Sequence, residues 1–292
     1  MDGRGDFEQA LHHAAEEKRT PAGEKYLSLG LVGTTELARH FKKSRKQIEI
    51  AALQHGIVPE RYQRNMGTIG IEGQLKLLSS EVAVIGLGGL GGMVSELLAR
   101  MGVGHLVLVD GDTFTASNLN RQIGSAESNL GKNKAQNAQW RIRQINHAVE
   151  TQVVPDYVGK LELVKLIKHA HLAIDCLDNL QTRFDLESAC QEINIPMVHG
   201  AIGGYMGQLA VIWPGNPLLA SIYGDSRRED TRAGKGFGLE ARRGNPTATP
   251  ALVASWEVSE AVKILLNRED VLRDELLYLD LLNNEVSRIP LK

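Results

Sequence analysis

The sequence predicts an α/β fold built on a mainly parallel sheet with helices on both faces. The first observation is the regular alternation of strand-like and helix-like segments from residue 82 onward. The second is a glycine-rich turn, residues 86–91, which follows an apolar strand and opens a helix. Repeated strand–helix–strand units pack as parallel strands joined by right-handed crossovers. A chain of 292 residues has room for one large α/β domain and a small additional module, and we expect both.

Individual elements follow from hydrophobic periodicity and from the turn residues that bound each segment. The predicted strands are 82–86, 105–109, 150–154, 171–176, 196–199, 207–213, 276–281 and 286–289. The predicted helices are 90–101, 131–146, 160–168, 180–193 and 250–266. Residues 214–248 interrupt the alternation of strands and helices, because they contain glycines, prolines and many charged residues with little periodicity. A long irregular loop of this kind is usually functional or disordered.

The N-terminal residues predict a small helical module, so we divide the chain into domains at 1–57 and 58–292. Residues 1–25 are polar, and we expect a loosely held helix or a disordered tail there. Residues 34–58 predict two short helices, with Ser44 capping the second, in the manner of a helix-turn-helix. Basic residues cluster there, but a solvated basic face is commoner than a DNA-binding one.

Composition narrows the class of protein. An apolar content of 42% and a charged content of 23% are those of a soluble globular chain. No apolar run is long enough to span a membrane and no signal peptide is present, so we expect a cytoplasmic protein without a membrane partner. The net charge of −2 does not favour nucleic-acid binding. Two cysteines, Cys176 and Cys190, cannot form a four-thiolate zinc site, so no zinc is expected.

A phosphate-binding pattern lies between residues 82 and 134. The turn after the first strand lets backbone N–H groups approach a phosphate at a helix N-terminus. Asp110 follows about twenty residues later at the end of the next strand, where a carboxylate accepts hydrogen bonds from a ribose. A glycine turn alone suggests NAD or FAD, but Arg121 and Lys134 suit a triphosphate whose charge must be neutralised. The glycines of the turn are Gly86, Gly88, Gly89 and Gly91.

Several short motifs, in this order, resemble the MoeB/ThiF/HesA family of bacterial relatives of ubiquitin-activating enzymes. The motifs are Arg61-Tyr62-Gln63-Arg64, the glycine turn, Asp110-Gly111-Asp112, Ser117-Asn118-Leu119-Asn120-Arg121-Gln122, Gly131-Lys132-Asn133-Lys134, Asp175-Cys176-Leu177-Asp178-Asn179 and Gly200-Ala201. The resemblance covers about residues 60–292 and implies a Rossmann-like domain. It also implies ATP-dependent adenylation of the C-terminal glycine of a ubiquitin-like, ThiS- or MoaD-like sulfur carrier ending in Gly-Gly, with release of pyrophosphate.

The resemblance assigns roles to individual residues. Beside the nucleotide turn, it implies that Asp110 holds the ribose and that Asp112 lies near the sugar. Asn118, Arg121 and Lys134 would face the phosphates. It implies that Asp178 binds Mg²⁺, for which carboxylate oxygen is a preferred ligand.

The resemblance also implies a homodimer, in which Arg64 of one subunit acts in the active site of the other. Some assignments have rivals: Arg61 competes with Arg64, and Lys132 with Lys134, which motif position favours. Asp178 could instead cap the helix near residue 180. His199 is interpreted as a structural, hydrogen-bonded histidine.

The chain departs from the family pattern in its cysteines. Many members carry two CxxC zinc pairs, and some carry a nucleophilic cysteine in the crossover loop; here residues 214–248 contain none. Cys176 and Cys190 are interpreted as core residues, so the reaction is expected to stop at the adenylate. Two alternatives stay open. One is adenylation of another carboxylate, a peptide C-terminus or a tRNA threonylcarbamoyl base; the other is an ATP-sensing DNA-binding regulator.

Overall fold

A computed structural model describes residues 3–224 and 244–291. The strands are β1 (Glu16–Arg19), β2 (Lys25–Leu29), β3 (Ile57–Pro59), β4 (Glu81–Ile85), β5 (His105–Val109), β6 (Glu150–Val154), β7 (Leu172–Asp175), β8 (Met197–Gly203), β9 (Met206–Ile212), β10 (Glu275–Asp280) and β11 (Glu285–Pro290). The helices are α1 (Gly3–Ala14), α2 (Leu31–His40), α3 (Arg45–Gln54), α4 (Met66–Leu78), α5 (Gly91–Met101), α6 (Lys134–Ile145), α7 (Lys160–Ile167), α8 (Leu180–Ile193), α9 (Leu219–Tyr223) and α10 (Ala248–Leu265). Within these ranges no helix is long and apolar enough to cross a bilayer.

The main sheet has eight strands in the order β11-β10-β9-β8-β7-β4-β5-β6. Its β8-β7-β4-β5-β6 part is parallel, and β9, β10 and β11 add antiparallel to one edge. The predicted mainly parallel sheet is therefore confirmed, with strand ends within a few residues of those predicted, except that β8 extends to Gly203. The predicted loop 214–248 contains the short helix α9, and its residues 225–243 lie outside the described ranges.

Side-chain alternation along the central strand explains the helices on both faces. Val82 and Val84 of β4 pack into one core, which also contains residues of α5, α6 and α10. Ala83 and Ile85 pack into the opposite core with residues of α7 and α8. A strand buried on both faces is a continuous apolar run, as the sequence of β4 shows.

The chain order places a crevice at the carboxyl end of β4. After β4, α5 leads to β5 on one side, whereas β7 pairs with β4 on the other side. Open α/β sheets bind ligands at such a reversal of strand order, outside the carboxyl ends of the strands.

The N-terminal module contains the two predicted helices, α2 and α3, and a three-stranded sheet that the sequence analysis did not predict. Strand β2 pairs antiparallel with β1 and parallel with β3. Ser44 caps α3 as predicted, accepting a hydrogen bond from the Gln47 amide nitrogen at 3.2 Å. Residues 3–14, expected to be a loose helix or a tail, form α1, whose Leu11 is fully buried in the core of the module.

The module packs directly against the main domain. Leu53 of α3, Tyr62 and Leu78 of α4 form a small apolar cluster between them. The Lys46 ammonium also pairs with Glu150 of β6, with Nζ and Oε2 3.1 Å apart. One of the basic residues of the helix-turn-helix-like segment is therefore occupied by a contact within the protein.

Candidate active site

A cavity of about 180 Å³ lies at the carboxyl ends of β4, β5 and β7. It collects side chains from segments far apart in the sequence, because the parallel strands all end at this edge of the sheet. The predicted site residues that line it are Gly86, Gly88, Gly89, Asp110, Asp112, Arg121, Lys134 and Asp178.

The glycines of the turn serve two different purposes. Gly86 has φ +87°, and a Cβ there would lie 2.6 Å from the Cys176 carbonyl oxygen. A Cβ on Gly91 would lie 1.8 Å from the Gly86 carbonyl oxygen. Cβ atoms on Gly88 and Gly89 would meet nothing closer than 3.6 and 3.5 Å. The turn therefore needs Gly86 and Gly91 in order to form, whereas Gly88 and Gly89 leave open surface toward the cavity.

Asp110 braces the glycine turn. Its Oδ2 accepts a hydrogen bond from the Leu87 amide at 2.7 Å, and its Oδ1 accepts one from the Asp112 amide at 2.8 Å. Burial raises the pKa of Asp110, against the opposing effect of Lys134 and the two amides. Each carboxylate oxygen can accept a second hydrogen bond, so Asp110 remains able to bind ribose hydroxyls.

Lys134, the first residue of α6, is held by Asp112. The ammonium donates to Asp112 Oδ2 at 2.8 Å, and Lys134 is 7% exposed. Burial acts to raise the pKa of Asp112, but hydrogen bonds from Lys134 and Tyr157 outweigh it and lower that pKa. Lys132 is exposed and does not line the cavity, which supports the choice of Lys134 over its rival.

Tyr157 was missed by the sequence analysis, since an exposed aromatic residue after a strand belongs to no motif. Its ring lies over Gly111, where a Cβ would come within 2.8 Å of it, and its hydroxyl donates to Asp112 Oδ1. That hydrogen bond raises the pKa of Tyr157 to about 12. Tyr157 therefore stands at the wall of the cavity as a neutral phenol.

Arg121 is oriented by its neighbour. Its Nη1 donates to Asn120 Oδ1 at 2.9 Å and to the Ser117 carbonyl at 3.1 Å. Asn120 therefore positions the Arg121 guanidinium. Asn118, which was predicted to face the phosphates, does not line the cavity. It is buried, and its Oδ1 accepts from the Thr115 amide at 3.0 Å, so it shapes the turn that carries Arg121.

Asp178 follows β7 and is exposed at the cavity. The helix cap is its neighbour Asn179, whose side chain accepts from the Thr182 amide at 2.9 Å. The alternative role of Asp178 as the cap is therefore wrong. Its carboxylate makes no hydrogen bond or ion pair within the described ranges, which leaves its oxygens available to a cation.

The two rival arginines lie in different surroundings. The Arg61 Nε lies 3.3 Å from Oε1 of Glu49, whose side chain is fully buried, and its guanidinium also donates to Asn146. Arg64 is exposed and does not line the cavity, and it has no ion pair to any described residue. Arg61 therefore joins the module to the domain, and only Arg64 is free to reach another molecule.

Asn133 and Gln122 complete the site without having been predicted to act there. The Asn133 side-chain nitrogen donates to the carbonyls of Asp110 and Asp112 at 3.0 and 3.1 Å, which fixes the spacing of the two aspartates. Gln122, the residue after Arg121, also lines the cavity. Both belong to motifs already recognised, but their side-chain directions depend on the fold.

Neither cysteine has the surroundings of a nucleophile. Cys176 and Cys190 are buried, and burial raises the pKa of both thiols. His199 is also fully buried, with Nδ1 2.7 Å from Asp175 Oδ2. Burial lowers the pKa of His199, which fits the predicted structural histidine.

The family model described as the ThiF family matches residues 62–292. The chain belongs to the ThiF family. This confirms the resemblance drawn from the motifs, and the match begins after the N-terminal module.

Several named proteins are similar to this chain in sequence. The chain is 33% identical to the SAMP-activating enzyme E1 of Haloferax volcanii, over 79% of this chain and 84% of that protein. It is 37% identical to the sulfur carrier protein ThiS adenylyltransferase of Escherichia coli, over 53% and 62%. It spans about half, 48%, of the adenylyltransferase and sulfurtransferase MOCS3 of Drosophila sechellia, at 35% identity over 75% of this chain.

A solved structure of E. coli MccB with MccA matches the fold with a TM-score of 0.66 and 18% identity, covering 96% of each chain. Because only 18% of the aligned residues are identical, this similarity shows a shared fold and nothing about function. The family and the named adenylyltransferases make this ThiF-family protein an ATP-using adenylyltransferase.

Proposed function

We propose that the protein activates the C-terminal glycine carboxylate of a small ubiquitin-like sulfur carrier by joining it to AMP and releasing pyrophosphate. The observation that carries the proposal is one cavity shared by a ribose acceptor, two cations and a free carboxylate, which are Asp110, Arg121, Lys134 and Asp178. The named relatives that activate SAMP and ThiS support the class of acceptor.

The charges of the site fit this reaction. A carboxylate that attacks an α-phosphate meets electrostatic repulsion, which fixed cations at the phosphates reduce. Arg121 is already oriented by Asn120, and Lys134 is held at the cavity wall by Asp112. No strong base is required, because a C-terminal carboxylate is ionised at neutral pH.

Asp178 fits a magnesium ion bound together with the nucleotide. Mg²⁺ in phosphate-transfer sites is held by one or two carboxylates plus substrate phosphates, and Asp178 offers one unpaired carboxylate at the cavity. When bound, the ion would neutralise phosphate charge. We expect no zinc requirement, since the sequence has only two cysteines and both are buried.

ATP–pyrophosphate exchange tests the proposal. E. coli ThiS and other carriers ending in Gly-Gly should promote magnesium-dependent exchange, and the same carriers without the last glycine should not. Exchange that persists with no acceptor, or that is absent with every carrier, would contradict it. Exchange only with a free peptide or a threonylcarbamoyl-tRNA would assign the other adenylation reaction. Salt-sensitive DNA binding without exchange would assign the regulator.

A further inference from the structure

Leu177, the residue before Asp178, has both of its main-chain polar groups held by buried side chains. Its amide donates to Asp175 Oδ1 at 3.0 Å, and its carbonyl accepts a hydrogen bond from Arg183 Nη2. Asp175 is fully buried, and Arg183 is 3% exposed. Neither of these two residues lines the cavity, so any effect of theirs on the site passes through the segment that they hold.

Arg183 joins that segment to the sheet. Its Nη1 donates to the Gly200 carbonyl of β8 at 3.0 Å and lies 3.5 Å from Asp175 Oδ2. Its Nη2 makes the hydrogen bond to Leu177. The donors of a guanidinium form a rigid planar fork, so the two contacts keep a constant spacing. The segment after β7 is therefore tied to β8.

The glycine turn contacts the same segment from the other side. A Cβ on Gly86 would lie 2.6 Å from the Cys176 carbonyl oxygen and 3.3 Å from the Leu177 nitrogen. The peptide between Cys176 and Leu177 therefore lies directly against the turn. The main chain that leads into Asp178 is thereby fixed relative to the predicted phosphate-binding turn.

The start of α8 has a cap of its own. Asn179 Oδ1 accepts hydrogen bonds from the Thr182 amide at 2.9 Å and from the Thr182 hydroxyl at 2.7 Å. Arg183 holds Leu177, which lies two positions before this cap. A buried ion pair is weak evidence for stability, because removing two charges from water can cost more than their attraction returns. These contacts therefore fit the placement of Asp178 better than the stabilisation of α8.

We propose that Arg183 and Asp175 are positioning residues, which hold Leu177 so that the carboxylate of Asp178 is presented to a magnesium ion at the cavity. This inference rests on the function proposed above and adds how the metal ligand is held. A carboxylate that is already in place loses less conformational freedom when the ion binds. Loss of a group that orients a metal ligand typically costs about 10–100-fold in metal affinity or activity.

Arg183→Lys tests the proposal by calorimetry of ATP binding with and without Mg²⁺. The variant keeps the charge beside Asp175, but one nitrogen replaces the two that hold Gly200 and Leu177. Mg²⁺ should tighten ATP binding by the wild-type protein, and this tightening should be about tenfold smaller in the variant. The affinity without Mg²⁺ should stay within about twofold, because Arg183 does not line the cavity.

Two comparisons separate positioning from a general loss of structure. Arg141→Lys replaces an arginine that holds Glu96 with two nitrogens outside the cavity, and it should change neither affinity. Asp178→Asn should lose the Mg²⁺ effect, and Arg183→Lys should add little to that loss, because changes that act through one contact are not additive.

Two calorimetric results would overturn the inference. One is an unchanged Mg²⁺ effect in Arg183→Lys, and the other is an equal loss of affinity with and without the ion. If Arg183→Lys fails to fold, Asp175→Asn takes its place, since it removes the charge that faces Arg183 and keeps the shape of the side chain. The same two results in that variant would also overturn the inference.

Hydrogen–deuterium exchange measured by NMR tests the contact without any ligand. In Arg183→Lys the Leu177 amide should exchange faster, whereas the Thr182 amide, held by the Asn179 cap, should keep its rate. Equal acceleration at both amides would show that Arg183 serves α8 instead. None of these measurements uses a carrier, so absence of ATP–pyrophosphate exchange with every carrier would contradict the proposed function and not this inference. No effect of Mg²⁺ on ATP binding by the wild-type protein would overturn the inference.

Discussion

Gly88 and Gly91 belong to one turn, but a β-carbon would meet different surroundings at each. On Gly88 it would make ordinary van der Waals contact at the cavity, with its first neighbour at 3.6 Å, whereas on Gly91 it would collide with the Gly86 carbonyl. Gly88→Ala should therefore keep the wild-type melting temperature and bind ATP more weakly by calorimetry, because the methyl group occupies phosphate space. Gly91→Ala should fold poorly. Equal melting temperatures for the two variants would contradict this division.

The titration of Glu257 provides a second prediction for a single residue. Glu257 of α10 is fully buried, and a Cβ on Gly200 would lie 2.4 Å from its Oε1. Burial raises the pKa of Glu257 well above 4.5, with Asp175 adding to the rise and Arg183 opposing it. The folded state therefore keeps a proton that the unfolded state loses, so the stability due to Glu257 is complete below pH 4.5 and falls as the pH rises toward the folded pKa.

Glu257→Gln removes this titration while keeping the shape of the side chain. Urea unfolding at pH 5 and pH 8 should show that the variant gains stability relative to the wild-type protein as the pH rises, by at most about 1.4 kcal/mol per pH unit. Parallel pH profiles for the two proteins would show that Glu257 is ionised in the folded state.

At the scale of elements, the buried ion pair between Glu49 of α3 and Arg61 joins the N-terminal module to the main domain. Burial raises the pKa of Glu49, and Arg61 opposes that rise. Removing one member of a buried pair leaves the other charge uncompensated, which typically costs about 3–5 kcal/mol. Arg61→Ala should therefore lower the free energy of unfolding strongly.

Arg64→Ala is the matched control for that measurement. Arg64 lies three residues away, and it is exposed without an ion pair in the part of the chain that the structure describes. Its replacement should leave the free energy of unfolding nearly unchanged. Comparable losses for the two variants would mean that Arg64 also serves the fold.

At the scale of the whole molecule, the position of Arg64 bears on assembly. Arg64 is exposed and does not line the cavity of its own chain, whereas the motif resemblance implies that it takes part in adenylation. We propose a homodimer in which Arg64 acts on the partner's site. Arg64→Ala and Asp178→Asn should each lose about a hundredfold or more in rate, as loss of a transition-state charge commonly does.

Mixing these two inactive variants should restore part of the exchange activity, because subunit exchange creates one site with both residues intact. Unmixed samples of each variant, taken through the same exchange procedure, are the control. A monomer by light scattering, or no recovery despite demonstrated subunit exchange, would reject the role of Arg64 across subunits. It would leave Arg121 and Lys134 as the catalytic cations.

Local sequence by itself predicted much of the fold and of the candidate site. The strand–turn–helix at β4 and α5, the order of later strands and the cap at Ser44 follow from periodicity and from the chemistry of single turns. The motifs also identified most cavity residues, because residues at the carboxyl ends of parallel strands must meet at one edge of the sheet.

Contacts between segments distant in sequence decided what the sequence could not. The strands of the N-terminal module went unpredicted because each is only 3–5 residues long and takes its stability from pairing, as β2 does with β3 about thirty residues away. Arg61 and Arg64 carry the same charge, and only the buried Glu49 separates their roles. The physical reason is that burial and hydrogen-bond pairing are properties of the packed chain, whereas propensity and turn chemistry belong to its local segments.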